Sequence, residues 1–317
     1  MTKIKKNNSI FEEVSCPVCS STSKKILKES QYKKSITRAD LLAYYKSSSD
    51  IDLKESVAKC NSCGAVYLNN RPKRELIIES YTSAIDNDFI SQNIFRIKTF
   101  KNQLKKIVKK YKNLTGKNMG SILDIGCAGG AFPRAAQIMG LPVIGIEPSE
   151  YLSEWASKEY GLDIRQGILD EQKFKKKSFS MVTLWDVLEH LPSPNNELHT
   201  IHQLLEDDGI LVINVPDISS LPARIMRWKW PFYLSVHLTY FTPKTLNYLL
   251  DRNGFKIVST KPYWQVLSLE YVIKRAGITF KVLKPLEHLV KLLRIGHLPI
   301  SYYLGQTEFV AIKKNRQ

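Results

Sequence analysis

The 317-residue chain predicts an α/β fold, a parallel sheet with helices on both faces, preceded by a small cysteine-bearing module. Three observations carry that expectation. From residue 121 onward, short apolar runs alternate with longer amphipathic segments, the βαβα rhythm that places helices on both faces of a parallel sheet. The first of these runs, SILDIGCAGG at 121–130, passes through an acid into a small-residue turn ahead of a helix-like segment. Such a turn lets the backbone approach a ligand and presents free helix N–H groups. Four of the five cysteines fall in two C-x-x-C pairs within the first 63 residues.

Residues 1–13 form a basic, polar tail without the apolar core of a secretory leader, so a cytoplasmic protein is expected. No apolar run reaches the roughly 18 residues that would span a membrane. Cys16 and Cys19 (CPVC) and Cys60 and Cys63 (CNSC) supply four thiolates, the set that tetrahedral structural zinc needs. Gly64 follows the second pair, where a metal knuckle needs a permissive backbone. Four thiolates leave no open position, so the metal expected over 14–70 is structural. Residues 71–116 read as a helical cap, with helices over 73–81 and 93–111. In the second, Ile94, Ile97, Leu104, Ile107 and Val108 make an apolar stripe and lysines take the other faces.

The core is expected over 117–262. Strands are expected near 121–125, 142–146, 162–166, 179–184 and 209–214, with helices around 131–139, 149–160 and 195–206 between them. Asp124, Glu147, Gly167 and Trp185 fall at predicted strand ends, where ligands bind in such sheets. Glu147 follows the small-residue turn by about 20 residues, the spacing at which an acid takes ribose hydroxyls. After the fifth strand, 217–240 is irregular, aromatic and basic, with the length of a lid. A sixth strand is expected at 255–261 and the last at 308–313, within a closing segment 305–317. Between them, 263–304 is an insertion whose Lys284–Pro285 start and Gly296 end bound a helix. Leu286, Leu289, Val290 and Leu293 share one face of it and basic residues the other. That face either packs on the core or lets 284–295 lie peripherally on a membrane.

D-I-G-C-A-G-G followed by G-I-E-P-S resembles the class I S-adenosylmethionine-dependent methyltransferases, whose usual turn is D-x-G-x-G-x-G. Asp124, Gly126 and Gly130 match, and Ala128 stands in the place of the middle glycine. The G-x-G-x-x-G of a dinucleotide oxidoreductase is not present. The resemblance covers roughly 60–260 and implies a Rossmann-like seven-stranded sheet with S-adenosylmethionine as cofactor. It places Asp124, Gly126, Cys127, Ala128 and Gly130 in the cofactor turn and Glu147 on the ribose. Gly167 and Ile168 fall beside the adenine, and Trp185 and Asp186 at the methionine end. Ile168 stands where the family often has an acid, so backbone N–H and apolar contacts to adenine are expected.

D-V-L-E-H at 186–190 and H-x-x-x-F-T-P at 237–243, with a zinc ribbon in front, resemble methyltransferases that modify sugars in surface-polysaccharide or natural-product pathways. By that resemblance the reaction is methylation of a hydroxyl on a sugar, glycan or other small molecule. His237 is the first candidate for the base, expected to titrate near working pH. His190 and Tyr240 are further candidates, with loop capping and core packing as their structural alternatives. Net charge is distributed as +13 over 1–120, −4 over 121–253 and +8 over 254–317. Basic flanks suit a phosphorylated or lipid-linked acceptor, or nucleic acid. An RNA methyltransferase is therefore the second reading, although no N-P-P-Y-like segment follows the fourth strand. A binding protein that has lost catalysis is the third.

Overall fold

A computed structural model describes residues 10–32, 36–44, 53–82 and 87–314. Most of the basic tail, residues 1–9, lies outside them. The core sheet has seven strands: β1 (Ile122–Ile125), β2 (Val143–Glu147), β3 (Ile164–Gln166), β4 (Phe179–Trp185), β5 (Leu205–Pro216), β6 (Phe255–Pro262) and β7 (Gln306–Lys313). Their order is β6-β7-β5-β4-β1-β2-β3. β7 is antiparallel to both neighbours, and the pairs of β1 with β2 and β4, β2 with β3, and β4 with β5 are parallel. The Rossmann-like sheet expected from the sequence is thus the fold of this chain. Its order reverses between β1 and β4, and the carboxyl ends at such a reversal form the natural ligand crevice.

β1 and β4 are buried along their whole length, which is why both read as continuous apolar runs. One apolar cluster centres on Leu123, Leu184, Leu211 and Phe309. A second joins Leu104, Phe132, Met181 and Val212 on the other face, where the helix Asn93–Thr115 packs beside Ala131–Ile138. Gly116 ends the long helix at φ 73, and its N–H donates to the Lys112 carbonyl, a left-handed cap.

The cysteine module is a sheet of Lys24–Lys28, Val57–Cys60 and Val66–Leu68. Its fourth strand, Thr239–Tyr240, comes from the segment after β5 and pairs antiparallel with Val66 and Tyr67. Leu68 N–H also donates to the Leu238 carbonyl at 2.9 Å. The module therefore grips the chain immediately after His237.

The insertion before β7 is a hairpin of Gln265–Ser268 with Pro299–Tyr302 and two helices, Leu269–Thr279 and Lys284–Leu292. The second helix stops at Leu292, short of Gly296. On its apolar face Val290 is buried, but Leu286, Leu289 and Leu293 are 39%, 47% and 55% exposed. The helix packs against Leu269–Thr279 of the same insertion, and of that face only Val290 is covered. Among the described residues no helix is long and apolar enough to cross a membrane.

Candidate active site

A cavity of about 1060 Å³ opens at the carboxyl ends of β1, β2 and β4. That is just above the roughly 300–1,000 Å³ usual for small-molecule sites. Its first wall is the turn after β1. Gly126 sits at φ 68, and a Cβ there would lie 2.6 Å from Val187 Cγ2. At Gly130, φ 72, a Cβ would lie 2.8 Å from Ala156 Cβ, so the turn can press against the next helix only with glycine there. Ala128, in the place of the family's middle glycine, takes φ 46, a left-handed conformation that costs a residue with a Cβ.

Glu147, at the end of β2, is buried and accepts the Ala128 N–H at 2.8 Å and the Ser149 N–H at 2.9 Å. Burial pushes its carboxyl up to about 7 against those two bonds. Asp124 accepts the Thr183 hydroxyl at 2.5 Å, and burial raises it to about 8. Cys127 is a buried thiol whose Sγ would lie 2.7 Å from a Cβ at Gly145, so it packs the turn onto β2. Gly167 (φ 112) and Ile168 line the cavity beyond β3. The Ile168 N–H, expected to be free for adenine, donates to Glu171 Oε2 at 3.1 Å.

Beyond β4 the wall changes character. Trp185 lies between Phe100, Phe132 and Tyr263 at centroid distances of 5.1–5.5 Å. Asp186 takes a left-handed φ of 56 and accepts Asn214 Nδ2 at 2.7 Å and Gln306 Nε2 at 2.6 Å. Burial raises its carboxyl to about 6, opposed by Gln306, Arg96 and Asn214. His190 and His237 meet edge to face with centroids 4.7 Å apart. Tyr81 Oη is 2.9 Å from His190 Nδ1, and His237 Nδ1 lies 2.8 Å from the Phe232 carbonyl, to which it donates. Glu189 stands beside them, 2% exposed, with neither carboxylate oxygen hydrogen-bonded. Burial pushes Glu189 well above the usual carboxylate range.

Burial also depresses both imidazoles, His237 to about 4. The expected titration of His237 near neutrality is therefore corrected: buried, it stays neutral through the working range. Tyr240 is not a wall residue of the cavity; its hydroxyl donates to the Leu234 carbonyl at 2.9 Å and its ring packs on Tyr233. Both contacts are those of the packing alternative for Tyr240.

Sequence reasoning missed the far wall. Arg96 comes from the cap helix, Tyr263, Gln265 and Tyr302 from the insertion, and Gln306 from the start of β7. The length of the insertion was the one available signal, since a tight hairpin would not reach the crevice.

At the other end of the module, Cys16 Sγ lies 3.6 Å from Cys63 Sγ and Cys19 Sγ 3.5 Å from Cys60 Sγ. All four sulfurs fall within 4.8 Å of one another. Four sulfurs at about 2.3 Å from one zinc stand roughly 3.8 Å apart, so the set fits that ion. Ser20 (φ 64) and Gly64 (φ 79) close matching turns, donating to the Cys16 and Cys60 carbonyls.

A family model for a methyltransferase domain matches residues 93–260. The chain is similar to a ubiquinone biosynthesis O-methyltransferase of Pseudomonas syringae pv. tomato, 29% identical over 106 residues, 31% of this chain and 43% of that protein. The enzyme of the same name from Haemophilus ducreyi is 32% identical over 119 residues, 34% and 49% of the two chains. The chain spans about half the length of the curated relatives it matches. A solved SAM-dependent methyltransferase from Archaeoglobus fulgidus aligns over 72% of this chain and 100% of its own at 20% identity, TM-score 0.49.

Proposed function

The chain belongs to the methyltransferase-domain family and is an S-adenosylmethionine-dependent methyltransferase, and from that premise we propose that it methylates a hydroxyl of a small molecule such as a sugar or other glycan unit. The observation that carries the reading is one cavity joining two chemistries. A nucleoside-type end is built by the Gly126–Gly130 turn and Glu147, and a carboxylate–imidazole end by Glu189, His190 and His237. S-adenosylmethionine, when bound, supplies an electrophilic methyl group. Glu147 uses two of its roughly four acceptor positions on backbone N–H groups, which leaves the others for ribose hydroxyls. Asp186, fixed by Asn214 and Gln306, holds the methionine end. The neutral imidazoles receive the acceptor hydroxyl, and the aromatic loop of Trp228, Phe232 and Tyr233 keeps water from the reacting oxygen. The four cysteines hold a structural zinc whose module fixes His237 through the Thr239–Tyr240 strand.

The acceptor is carried to the cavity on an anionic lipid surface. Leu286, Leu289, Leu292 and Leu293 are exposed among Lys281, Lys284 and Arg294, a combination that suits an acidic membrane interface. Phe280, Lys281 and Leu283, just ahead of that helix, line the same cavity. Sedimentation with vesicles separates the cases. Wild type should pellet with phosphatidylglycerol vesicles, and the pair L289E/L293E should stay in the supernatant. Equal behaviour of the two would remove the membrane from the account.

The activity itself is tested with methyl-labelled S-adenosylmethionine against phenols, free sugars, sugar nucleotides, lipid-linked glycans and RNA. A label recovered on oxygen of a small acceptor supports the reading. A label found only in RNA, with binding that weakens steeply with salt, would replace it by the nucleic-acid alternative.

A further inference from the structure

We propose that Lys28, Trp228 and Lys229 form an anion subsite in the cavity, which holds a phosphate group of the acceptor away from the hydroxyl that is methylated. The proposal rests on the reading that the His190 and His237 end receives a small acceptor, and it names that acceptor's class. Charge is segregated around the cavity. Its acids, from Asp124 to Glu197, all come from the core between β1 and β5. Its bases, Lys28, Arg74, Arg96, Lys229, Arg275 and Lys281, come from the cysteine module, the cap, the loop after β5 and the insertion. Arg74 pairs with Asp170 at 3.2 Å, and Arg96 acts on the buried Asp186, so both offset core acids.

Lys28 and Lys229 are joined instead by one aromatic ring. Lys28 Nζ lies 5.9 Å from the Trp228 ring centroid, and Lys229 is the next residue. The Leu53 carbonyl accepts a hydrogen bond from Lys28 Nζ and holds that ammonium in place. Glu55, a buried acid of the module, takes the Tyr32 hydroxyl and is not among the lining residues. The backbone supplies an independent sign. Arg227 takes φ 52 and ψ −135, a conformation that a residue with a Cβ adopts only at a cost. It ends the helix Leu221–Met226 and starts the 3-10 turn Arg227–Lys229, which carries Trp228 and Lys229. Strain of this kind collects at ligand clamps.

A run of rings leads from this pair to the imidazoles. Between centroids, Trp228 meets Tyr233 at 4.8 Å, Tyr233 meets Tyr240 at 5.2 Å, and Tyr240 meets His237 at 6.4 Å. An anion held at the lysines therefore lies at one end of that run and the reacting hydroxyl at the other. Two ammonium groups match the near-double charge of a phosphate monoester better than the single charge of a carboxylate, and lysine binds phosphate as a point charge. Low-dielectric cavity walls strengthen the attraction. The half-exposed Trp228 offers its face to the acceptor's apolar side. The substrate class is thus a phosphorylated small molecule, methylated on a hydroxyl remote from its phosphate. The cysteine module then has two duties, fixing His237 and supplying Lys28.

The test titrates inorganic pyrophosphate, and glutarate in parallel, into the full-length protein saturated with S-adenosylhomocysteine, read by calorimetry. Wild type should bind one pyrophosphate, and more tightly than glutarate. The pair Lys28→Gln and Lys229→Gln should weaken that binding by more than tenfold, and Lys229→Gln alone, at an exposed position, by a smaller factor. The pair Lys25→Gln and Lys244→Gln removes the same charge from exposed lysines that do not line the cavity, and should bind as wild type does. S-adenosylhomocysteine affinity, read on the same samples, should be unchanged. No pyrophosphate binding by wild type, unchanged binding by the Lys28 and Lys229 pair, or equal weakening by both pairs overturns the proposal. Glutarate bound as tightly as pyrophosphate overturns the assignment to phosphate. Vesicle pelleting lost with the Lys28 and Lys229 pair would give the two lysines to the lipid surface and overturn it as well. Failure of wild type to bind S-adenosylhomocysteine would instead strike the methyltransferase reading.

Discussion

Replacing Glu147 by glutamine removes the charge at the end of β2 and keeps the shape. The wild-type carboxylate is buried and already accepts two backbone N–H groups, from Ala128 and Ser149. The two ribose hydroxyls of the cofactor would fill its remaining acceptor positions. Hydrogen bonds to a charged group contribute about 1.5–3 kcal/mol, and glutamine turns one acceptor into a donor. A loss of roughly 2–3 kcal/mol follows, about 30- to 150-fold in Kd. A pH signature accompanies it. Burial places the Glu147 carboxyl at about 7 in the free protein, and ribose hydroxyls bind its ionised form. Affinity should therefore rise with pH through 7 and level off above it. At pH 6 it should be about tenfold weaker than at pH 8. The linked effect on stability runs the other way, because the folded carboxyl lies above its ordinary 4.5. Its contribution is fully present below 4.5 and is lost as pH rises toward 7. Calorimetric titration with S-adenosylhomocysteine at pH 6, 7 and 8 reads both affinity effects. Glutamine should weaken binding and flatten its pH dependence. Equal Kd for the two proteins, or a wild-type Kd that does not move with pH, would refute the assignment of Glu147 to the ribose.

Metal analysis should find one zinc per chain, absent from Cys60→Ser. Because Thr239–Tyr240 completes the module's sheet, that variant should lose turnover while keeping S-adenosylhomocysteine affinity; retention of the zinc would contradict the four-cysteine site. Ala128→Gly relieves a left-handed residue at a cost of about 1–2 kcal/mol, partly offset by about 0.4–1 kcal/mol of unfolded-chain entropy. Its Tm should equal or exceed that of wild type, and a clear fall would show that the alanine methyl has a role in the turn. Tyr240→Phe loses one buried hydrogen bond, about 1 kcal/mol by denaturant unfolding, and should leave saturated turnover unchanged. A turnover loss of a hundredfold would return Tyr240 to the chemistry.

The sheet was legible because β1 and β4 are buried on both sides, which forces unbroken apolar runs, and because the turns between them are short. Asp124, Glu147, Gly167 and Trp185 could be placed at strand ends from the same pattern. What could not be read were pairings across long sequence distances. Two residues, Thr239 and Tyr240, make too short a strand to announce itself, and their partners, Tyr67 and Val66, lie 172 and 174 residues earlier. The donors that fix Asp186 sit on β5 and β7, and no local spacing connects them. His190 and His237 each stood out in the sequence, but their contact depends on the module that bends the second loop onto the first. The titration of His237 was misjudged for the same reason, because burial is a tertiary property. Helical periodicity gave the apolar face of 284–292 but not what covers it, and the structure leaves most of its leucines exposed.

The most direct test of the account is a structure of the complex with S-adenosylhomocysteine. The account predicts both ribose hydroxyls on Glu147, the backbone turn at Gly126–Gly130 against the cofactor's nucleoside half, and its methionine end beside Asp186. The sulfur should face Glu189, His190 and His237 across the open part of the cavity. A cofactor whose ribose avoids Glu147, or whose sulfur points away from the two histidines, would contradict it.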